Sequence, residues 1–415
     1  MPLGALRSLL HRQIWRRLPY RWRRALLFGF TAYAAPRPDP DAAAATPIIV
    51  VGALRTASGL GESARLCHDA LLAGGFPVYG VDLTAPLQQA VDHLDFTFRD
   101  GAAMVGPGTL IIHVNGPLMP LAMLLLKAGL IRGKRVVGYW AWELPQVPRE
   151  WARGAPFVHA IWAPSTFAAR AFSTISDGRP VHVLPHPVAD TRPSPESTPA
   201  RARPFTMLTM FNMASSLARK NPCAAIEAFG RAFADDPDAR LIVKCTNGDA
   251  YPEGLAAIAR VIGGATNILF IDRVMSRIEL DGLYTEADAF VSLHRSEGFG
   301  LTIAEAMLRG LPVIATNWSG NVDFLDDATG IPIGYALTHA NDPQGTYDHP
   351  SMEWANPDVD AAARAMLRLR DSPDLRRRLG GLAREVAHRA LSRAQYCQNV
   401  AEALGLKKVA SPSGD

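Results

Sequence analysis

A chain of 415 residues with 48% apolar and 20% charged residues can build two or three hydrophobic cores and has too few charges for a disordered chain. Its net charge of +4 is uneven: residues 1–45 hold eight Arg against two Asp, while the remaining 370 are slightly acidic. This excludes a basic nucleic-acid-binding body and confines attraction for anions to the N-terminal arm.

Residues 1–35 read as a basic amphipathic arm. Arg7, Arg12, Arg16, Arg17, Arg21, Arg23 and Arg24 alternate with Leu, Ile and Trp. Trp15 and Trp22 lie two helical turns apart and share a face. The composition suits a helix on an anionic membrane surface, or a basic tail. The apolar run Ala25–Ala35 is shorter than the ~20 residues a span needs, and no signal-peptide cleavage site follows it. A Pro- and Ala-rich linker, residues 36–46, completes this segment.

From Pro47 onward, short apolar runs alternate with helical patterns. Strands are expected at Ile48–Gly52, Val78–Val81, Leu110–Val114, Arg135–Tyr139, His159–Trp162 and Val181–Leu184. Helices are expected from Gly61 to Leu72, Leu118 to Ala128 and Thr166 to Phe172. Six prolines between Pro185 and Pro204 mark a hinge. Strands follow at Thr206–Phe211, Leu241–Cys245, Ile268–Ile271, Ala289–Leu293 and Pro312–Ala315. Asn221 and Pro222 mark a helix start, as does the capping box Ser276-x-x-Glu279. A helix is expected at Thr302–Arg309, and long helical patterns fill Asp358–Leu404. This alternation predicts two doubly wound α/β, Rossmann-like domains. The expected division is 1–46 (arm and linker), 47–190 (N-terminal domain), 204–370 (C-terminal domain) and 371–415 (C-terminal helices and tail).

Ligands of such sheets bind beyond the carboxyl ends of the strands. The densest polar punctuation there is Ser296-Glu297-Gly298-Phe299-Gly300-Leu301-Thr302-Ile303-Ala304-Glu305. A strand ends, two glycines permit close backbone approach, and a helix starts whose free N–H groups can hold a diphosphate. Glu297 and Glu305 then suit hydroxyls on either side of it, because carboxylates would repel the phosphates. The plainer readings are a solvated loop acid for Glu297 and a Thr302-x-x-Glu305 capping box for Glu305. Arg219-Lys220-Asn221-Pro222 places two cations before a helix, where they can neutralise a leaving diphosphate, or form an ordinary surface pair. Gly59-Leu60-Gly61 after the first strand allows backbone approach to a ligand, or close helix–strand packing. His113 and Asn115 stand at a strand exit. Trp140 and Trp142 offer stacking surfaces for a sugar or ordinary core.

The Glu297/Glu305 segment resembles the Glu-x7-Glu signature of retaining glycosyltransferases of family 4, glycosyl transferase group 1, which have the GT-B fold. Leu311–Leu325 resembles the strand that follows in that family, and Ser215–Pro222 resembles its S-x-x-x-R-K-N-P helix start. Ala214 stands where many relatives have Arg, and Gly138–Glu143 lacks the His that relatives carry after a central strand. Tyr347, Trp354, Pro357 and Asp358 resemble a stretch of bacterial polysaccharide members. The resemblance implies that Glu297 contacts the donor sugar and Glu305 the ribose. It implies that Gly298, Phe299, Gly300, Leu301 and Thr302 cradle the diphosphate, with Gly59 and Gly61 near the donor or acceptor, and that Lys220 and Arg219 assist departure of the nucleoside diphosphate.

The function so implied is retaining transfer of a sugar from a nucleotide-sugar, with GDP-mannose favoured, to a glycan or lipid-linked glycan in cell-surface polysaccharide synthesis. The rivals are a GT-B epimerase or phosphorylase and a non-catalytic membrane-assembly scaffold. No cofactor is expected. The Asp-x-Asp pairs starting at Asp39, Asp236 and Asp358 read as turns or caps, and eleven scattered His and four separated Cys show no metal-ligand spacing. No divalent metal and no nucleic acid are expected. Cysteine usage fits a cytoplasmic protein, peripheral at the inner face of the membrane if the arm binds lipid.

Overall fold

Near-continuous apolar runs are what strands need when helices cover both faces of a sheet, and this chain builds two such sheets. In the computed structural model, residues 29–406 are described apart from 93, 95, 189–202, 235 and 350. The first sheet contains β1 (Ile48–Gly52), β2 (Val78–Asp82), β3 (Gly108–His113), β4 (Lys134–Tyr139), β5 (Ala160–Ala163) and β6 (Val181–Val183), in the order β2-β1-β3-β4-β5-β6. Every pairing in it is parallel. β1 and β3 are buried along their whole length. Helices Gly59–Ala73, Met119–Ile131 and Thr166–Ser173 make crossovers.

The second sheet contains β7 (Phe205–Asn212), β8 (Ala239–Thr246), β9 (Ile268–Asp272), β10 (Ala289–Ser292), β11 (Val313–Thr316) and β12 (Gly330–Ile333), in the order β12-β11-β10-β7-β8-β9, again all parallel. Strand order reverses beside β1 in one sheet and beside β7 in the other. Loops after these strands therefore splay apart and open a crevice, and the two crevices face each other across one cleft. Helix Pro252–Ile262, β12 and the antiparallel hairpin β13 (Tyr335–His339)/β14 (Glu353–Pro357) have no counterpart among the expected elements.

The second half of the chain also contributes to the first half's cores. Ala340, Tyr347, Met352 and Trp354, from the hairpin and its long connection, share a core with Trp142, Trp151 and Phe172. In the terminal helices the chain divides. Pro373–Leu391 buries Ala383, Ala387 and Leu391 against Ile303 and Met307 of the second domain. Arg393–Leu404 buries Tyr396, Val400 and Ala401 against Cys67, Ala70 and Leu71 of the first. The Pro-rich hinge is thus not the sole tie between domains.

Residues 1–28, with Trp15, Trp22 and seven of the arm's arginines, lie outside the described residues. Residues 29–34 are helical and expose Phe30 and Tyr33. Among the described residues no helix is long and apolar enough to cross a membrane. All four cysteines are free.

Candidate active site

The loop after β10 is built to approach other backbone closely. Gly300 caps helix Leu301–Leu308 at φ +100°, a conformation that disfavours side chains. A Cβ on Gly298 would sit 3.1 Å from the Trp142 carbonyl oxygen of the first domain. Ser165 donates to the Gly298 carbonyl at 2.6 Å, and Ser296 donates to the Glu143 carbonyl. Both donors span the two domains, so the first domain clamps this loop. Gly300 accepts the Ala304 N–H at 3.0 Å; the N–H groups of the preceding turn, residues 301–303, have no carbonyl partner inside the helix. The capping box proposed for Thr302 and Glu305 is absent: the N-cap is Gly300, with no side-chain cap.

β7 delivers the cations. After Asn212 the chain makes a tight turn and a short helical turn, Leu217–Lys220. Asn221 then takes a left-handed conformation (φ +49°), and its side chain donates to the Leu293 carbonyl at 2.9 Å instead of capping the next helix. This staples the exits of β7 and β10 together. Lys220 Nζ reaches Glu297 Oε1 at 2.5 Å, and Arg219 donates to Glu297 Oε2 at 3.1 Å. Burial by itself would raise the Glu297 carboxyl; Lys220 and then Arg219 overcome it and hold the group down to about 2. Burial lowers the Lys220 ammonium despite Glu297. Arg219 is raised: burial opposes its charge, but Tyr347, Glu297 and Glu143 outweigh it.

The two cations are not equivalent. Arg219 is only 3% exposed and donates to the carbonyls of Ser296 (2.8 Å) and Ser215 (2.9 Å) besides Glu297, with the Tyr347 ring 5.2 Å from its guanidinium carbon. It is a fastener. Lys220 keeps 18% of its side chain exposed and, among the described residues, bonds Glu297 alone, so it is the cation available to a ligand.

Glu305 lies deeper in its helix, where Tyr284 donates to it at 2.8 Å and Arg277 at 3.2 Å. Arg277 follows β9, so the cleft runs from the Lys220–Glu297 pair toward the exits of β8 and β9. It encloses about 2140 Å³ and is lined by Arg219, Lys220, Glu297, Gly298, Phe299, Gly300, Leu301, Thr302, Glu305 and Gly59, all anticipated from sequence. Small-molecule sites usually occupy ~300–1,000 Å³, so two ligands fit.

Gly61 does not line the cleft. A Cβ there would lie 2.4 Å from the Thr56 carbonyl oxygen, so packing requires this glycine. Gly59 faces open space. Trp140 is fully buried against Trp151 and Phe172, whereas Trp142 borders the cleft and donates to the Gln146 carbonyl at 2.7 Å. His113 is buried, bonded to Ser63 at 2.8 Å and stacked on Tyr139; burial holds its pKa well below the usual value. Asn115 accepts the Ala141 N–H at 2.9 Å and lines the cleft. Asp39 and Asp236 accept N–H groups two residues on, and Asp358 caps helix Val359–Asp371. Among the described residues no group of three or more His, Cys, Asp or Glu is arranged to hold a metal ion.

Sequence reading passed over Tyr284, Arg277 and Glu143, and saw in Tyr347 only a family likeness. Tyr347 donates to Glu143 Oε2 at 2.8 Å and packs on Trp142. Ser216 donates to Asp342 at 2.8 Å, and the Leu217 N–H donates to Gln344 at 2.6 Å. These bonds knit the hairpin's connection to the cation loop. They link residues over 100 apart, and no local pattern could have signalled them.

Residues 200–343 match the model of glycosyl transferases group 1. Curated relatives include D-inositol 3-phosphate glycosyltransferases of Mycobacterium leprae (strain Br4923), 31% identical over 133 residues, and of Mycobacterium sp. (strain KMS), 34% identical over 116 residues. These alignments cover 31% of this chain and 31% of the first relative, and 27% and 26% for the second. The chain thus matches about a third or less of each relative's length. Among solved structures, Anabaena Alr3699/HepE in complex with UDP superposes at a TM-score of 0.60 over 87% of this chain and 100% of its own, at 15% identity. A glycosyltransferase from Rickettsia africae ESF-5 gives 0.59 over 86% and 97%, at 14% identity. A mutant of S. aureus TarM gives 0.53 over 72% and 55%, at 13% identity. The chain has the GT-B fold, and residues 200–343 of its second domain are similar to the glycosyl transferases group 1.

Proposed function

We propose that this protein is a retaining glycosyltransferase of family 4 type, moving a hexose from a nucleotide-sugar to a glycan or lipid-linked glycan in cell-surface polysaccharide synthesis. The observation that carries this reading is the Lys220–Glu297 contact of 2.5 Å at the foot of the Leu301–Leu308 helix, inside an interdomain cleft. A diphosphate on the first-turn N–H groups would draw Lys220 off Glu297. The ammonium then stabilises charge that develops as the sugar–phosphate bond breaks. Glu297, held charged by Arg219, accepts from a sugar hydroxyl. Glu305, fixed by Tyr284 and Arg277, accepts from the ribose. Gly298–Thr302 follow the diphosphate, and Gly59 borders the acceptor side. Lysine and helix amides supply the positive charge, so donor binding is proposed to need no divalent cation. With no protein nucleophile assigned, the retained configuration rests on front-side attack assisted by the departing phosphate.

The resemblance favours GDP-mannose as donor, whereas Anabaena Alr3699/HepE was solved with UDP and with UDP-glucose. Labelled UDP-glucose, UDP-N-acetylglucosamine and GDP-mannose, each offered with lipid-linked glycan extracts, decide between them. The expected product keeps the donor's anomeric configuration and forms in EDTA. Isomerised donor or free sugar phosphate would instead show an epimerase or phosphorylase. Full activity in Glu297→Ala would overturn the site.

We also propose that the N-terminal arm holds the enzyme to the inner face of the membrane. Deleting residues 1–35 should abolish binding to phosphatidylserine vesicles, and salt should weaken it in the intact chain. Salt-insensitive binding would refute this.

A further inference from the structure

The wall opposite the Glu297 loop contains a histidine that the proposed chemistry leaves unused. His186 lies between Pro185 and Pro187, just after β6. It is 5% exposed, lines the cleft, and meets the Phe299 ring edge-to-face at 4.8 Å. Phe299 belongs to the turn that would cradle the diphosphate, so a sugar on that diphosphate comes within reach of this wall.

The protonation of the ring follows from its neighbour. The Tyr139 hydroxyl lies 2.7 Å from the Leu184 carbonyl oxygen and 3.1 Å from His186 Nδ1. A carbonyl only accepts, so the single phenolic proton goes to Leu184. Nδ1 must then donate to the tyrosine oxygen. Burial keeps the ring neutral, pushing its pKa down to about 3. Nε2 therefore carries a lone pair, and no group of the described residues bonds it. Tyr139 is itself locked, fully buried and stacked on His113 at 4.6 Å. The result is an oriented neutral acceptor on the cleft wall. It repels an anion and lacks a proton to give a carbonyl; it suits a ligand O–H.

We infer that His186 Nε2 accepts a hydrogen bond from a hydroxyl of the donor sugar, and that Tyr139 is the positioning residue that fixes the imidazole for this task. The inference rests on the proposed nucleotide-sugar site and deepens it.

The test uses titration calorimetry of the full chain with UDP, GDP, UDP-glucose, UDP-N-acetylglucosamine and GDP-mannose. Wild-type protein should bind one nucleotide-sugar more tightly than its parent diphosphate. His186→Phe keeps the ring's bulk and removes the acceptor. It should cost about five- to tenfold in affinity for that nucleotide-sugar, and less than twofold for the parent diphosphate, which also reports that the variant is folded. His186→Gln, which restores an acceptor, should recover part of the loss. In Tyr139→Phe, nitrogen NMR of labelled histidine should show His186 losing its single Nδ1–H tautomer. Equal losses for sugar-nucleotide and parent diphosphate, no gain from any attached sugar, or no loss in His186→Phe would overturn the inference while leaving the diphosphate site standing. Failure of wild-type protein to bind any nucleotide would overturn the parent reading and this one with it.

Discussion

The Tyr347 hydroxyl donates to Glu143 Oε2 at 2.8 Å, while the face of the same ring lies 5.2 Å from the Arg219 guanidinium carbon. One side chain from the second half of the sequence thus ties the first domain's β4 exit to the cation loop after β7. Tyr347→Phe keeps the ring and deletes the bond. We expect it to cost about 1.5–3 kcal/mol of stability, the range for a hydrogen bond to a charged group. Glu143→Gln should cost less on top of Tyr347→Phe than alone, since the partners share one interaction. Denaturant melts of the four proteins in this cycle check it; strict additivity would refute the coupling.

Lys220 and Arg219 should separate kinetically. Lys220→Ala removes the ligand-facing cation and should lower kcat about 10²- to 10³-fold, with a moderate fall in melting temperature because Glu297 loses its first cationic partner. Arg219→Ala should lower melting temperature further, because it strips the buried guanidinium from Glu297 Oε2 and from the Ser296 and Ser215 carbonyls. Steady-state kinetics and thermal melts, run on both variants, give the comparison. Equal melting losses would contradict the assigned division.

Glu297 sets an acid limit. Its folded pKa is depressed to about 2 from 4.5, so its ionised form contributes stability that is fully present above about pH 4.5 and fades as pH falls toward 2. The size is on the order of 3 kcal/mol. Wild-type melting temperature should therefore fall through this window. Glu297→Gln should be less stable at pH 7 and show a flatter profile below pH 5. Parallel profiles would mean that Glu297 is not the titrating group.

The two glycines of the Gly59-x-Gly61 turn should behave oppositely. Gly61→Ala forces a Cβ to 2.4 Å from the Thr56 carbonyl oxygen and should destabilise by several kcal/mol, about the upper range for single substitutions. Gly59→Ala meets nothing within 4 Å and should leave the melt unchanged within about 0.5 kcal/mol. Any activity loss in Gly59→Ala would then report on the ligand.

Tyr284→Phe should free the Glu305 carboxylate from one of its two holders. Nucleotide affinity should fall about threefold to tenfold, near the value of one net hydrogen bond. A 2′-deoxyribose or 3′-deoxyribose analogue should lose less affinity in this variant than in wild type. An unchanged response would place the ribose elsewhere.

The alternation of apolar runs with helical patterns was legible because parallel strands buried on both faces leave a strong local mark, as in Ile48–Gly52. The Glu297–Glu305 turn was legible for a related reason: glycine punctuation between strand and helix records a close backbone approach. Hairpin β13/β14 was not, because its strands are short and its partners distant; Tyr347 meets Glu143 across 204 positions. Glycine spacing also could not distinguish Gly59, which borders the cleft and faces open space, from Gly61, which internal packing requires, since the pattern records only the residue and not its surroundings.

Helix Arg393–Leu404 returns to Gly59–Ala73 after Pro373–Leu391 has packed on the other domain. The lobes are therefore joined twice, by the chain that precedes β7 and by the packing of the terminal helix beyond Ser392, so severing either link leaves the other to hold them.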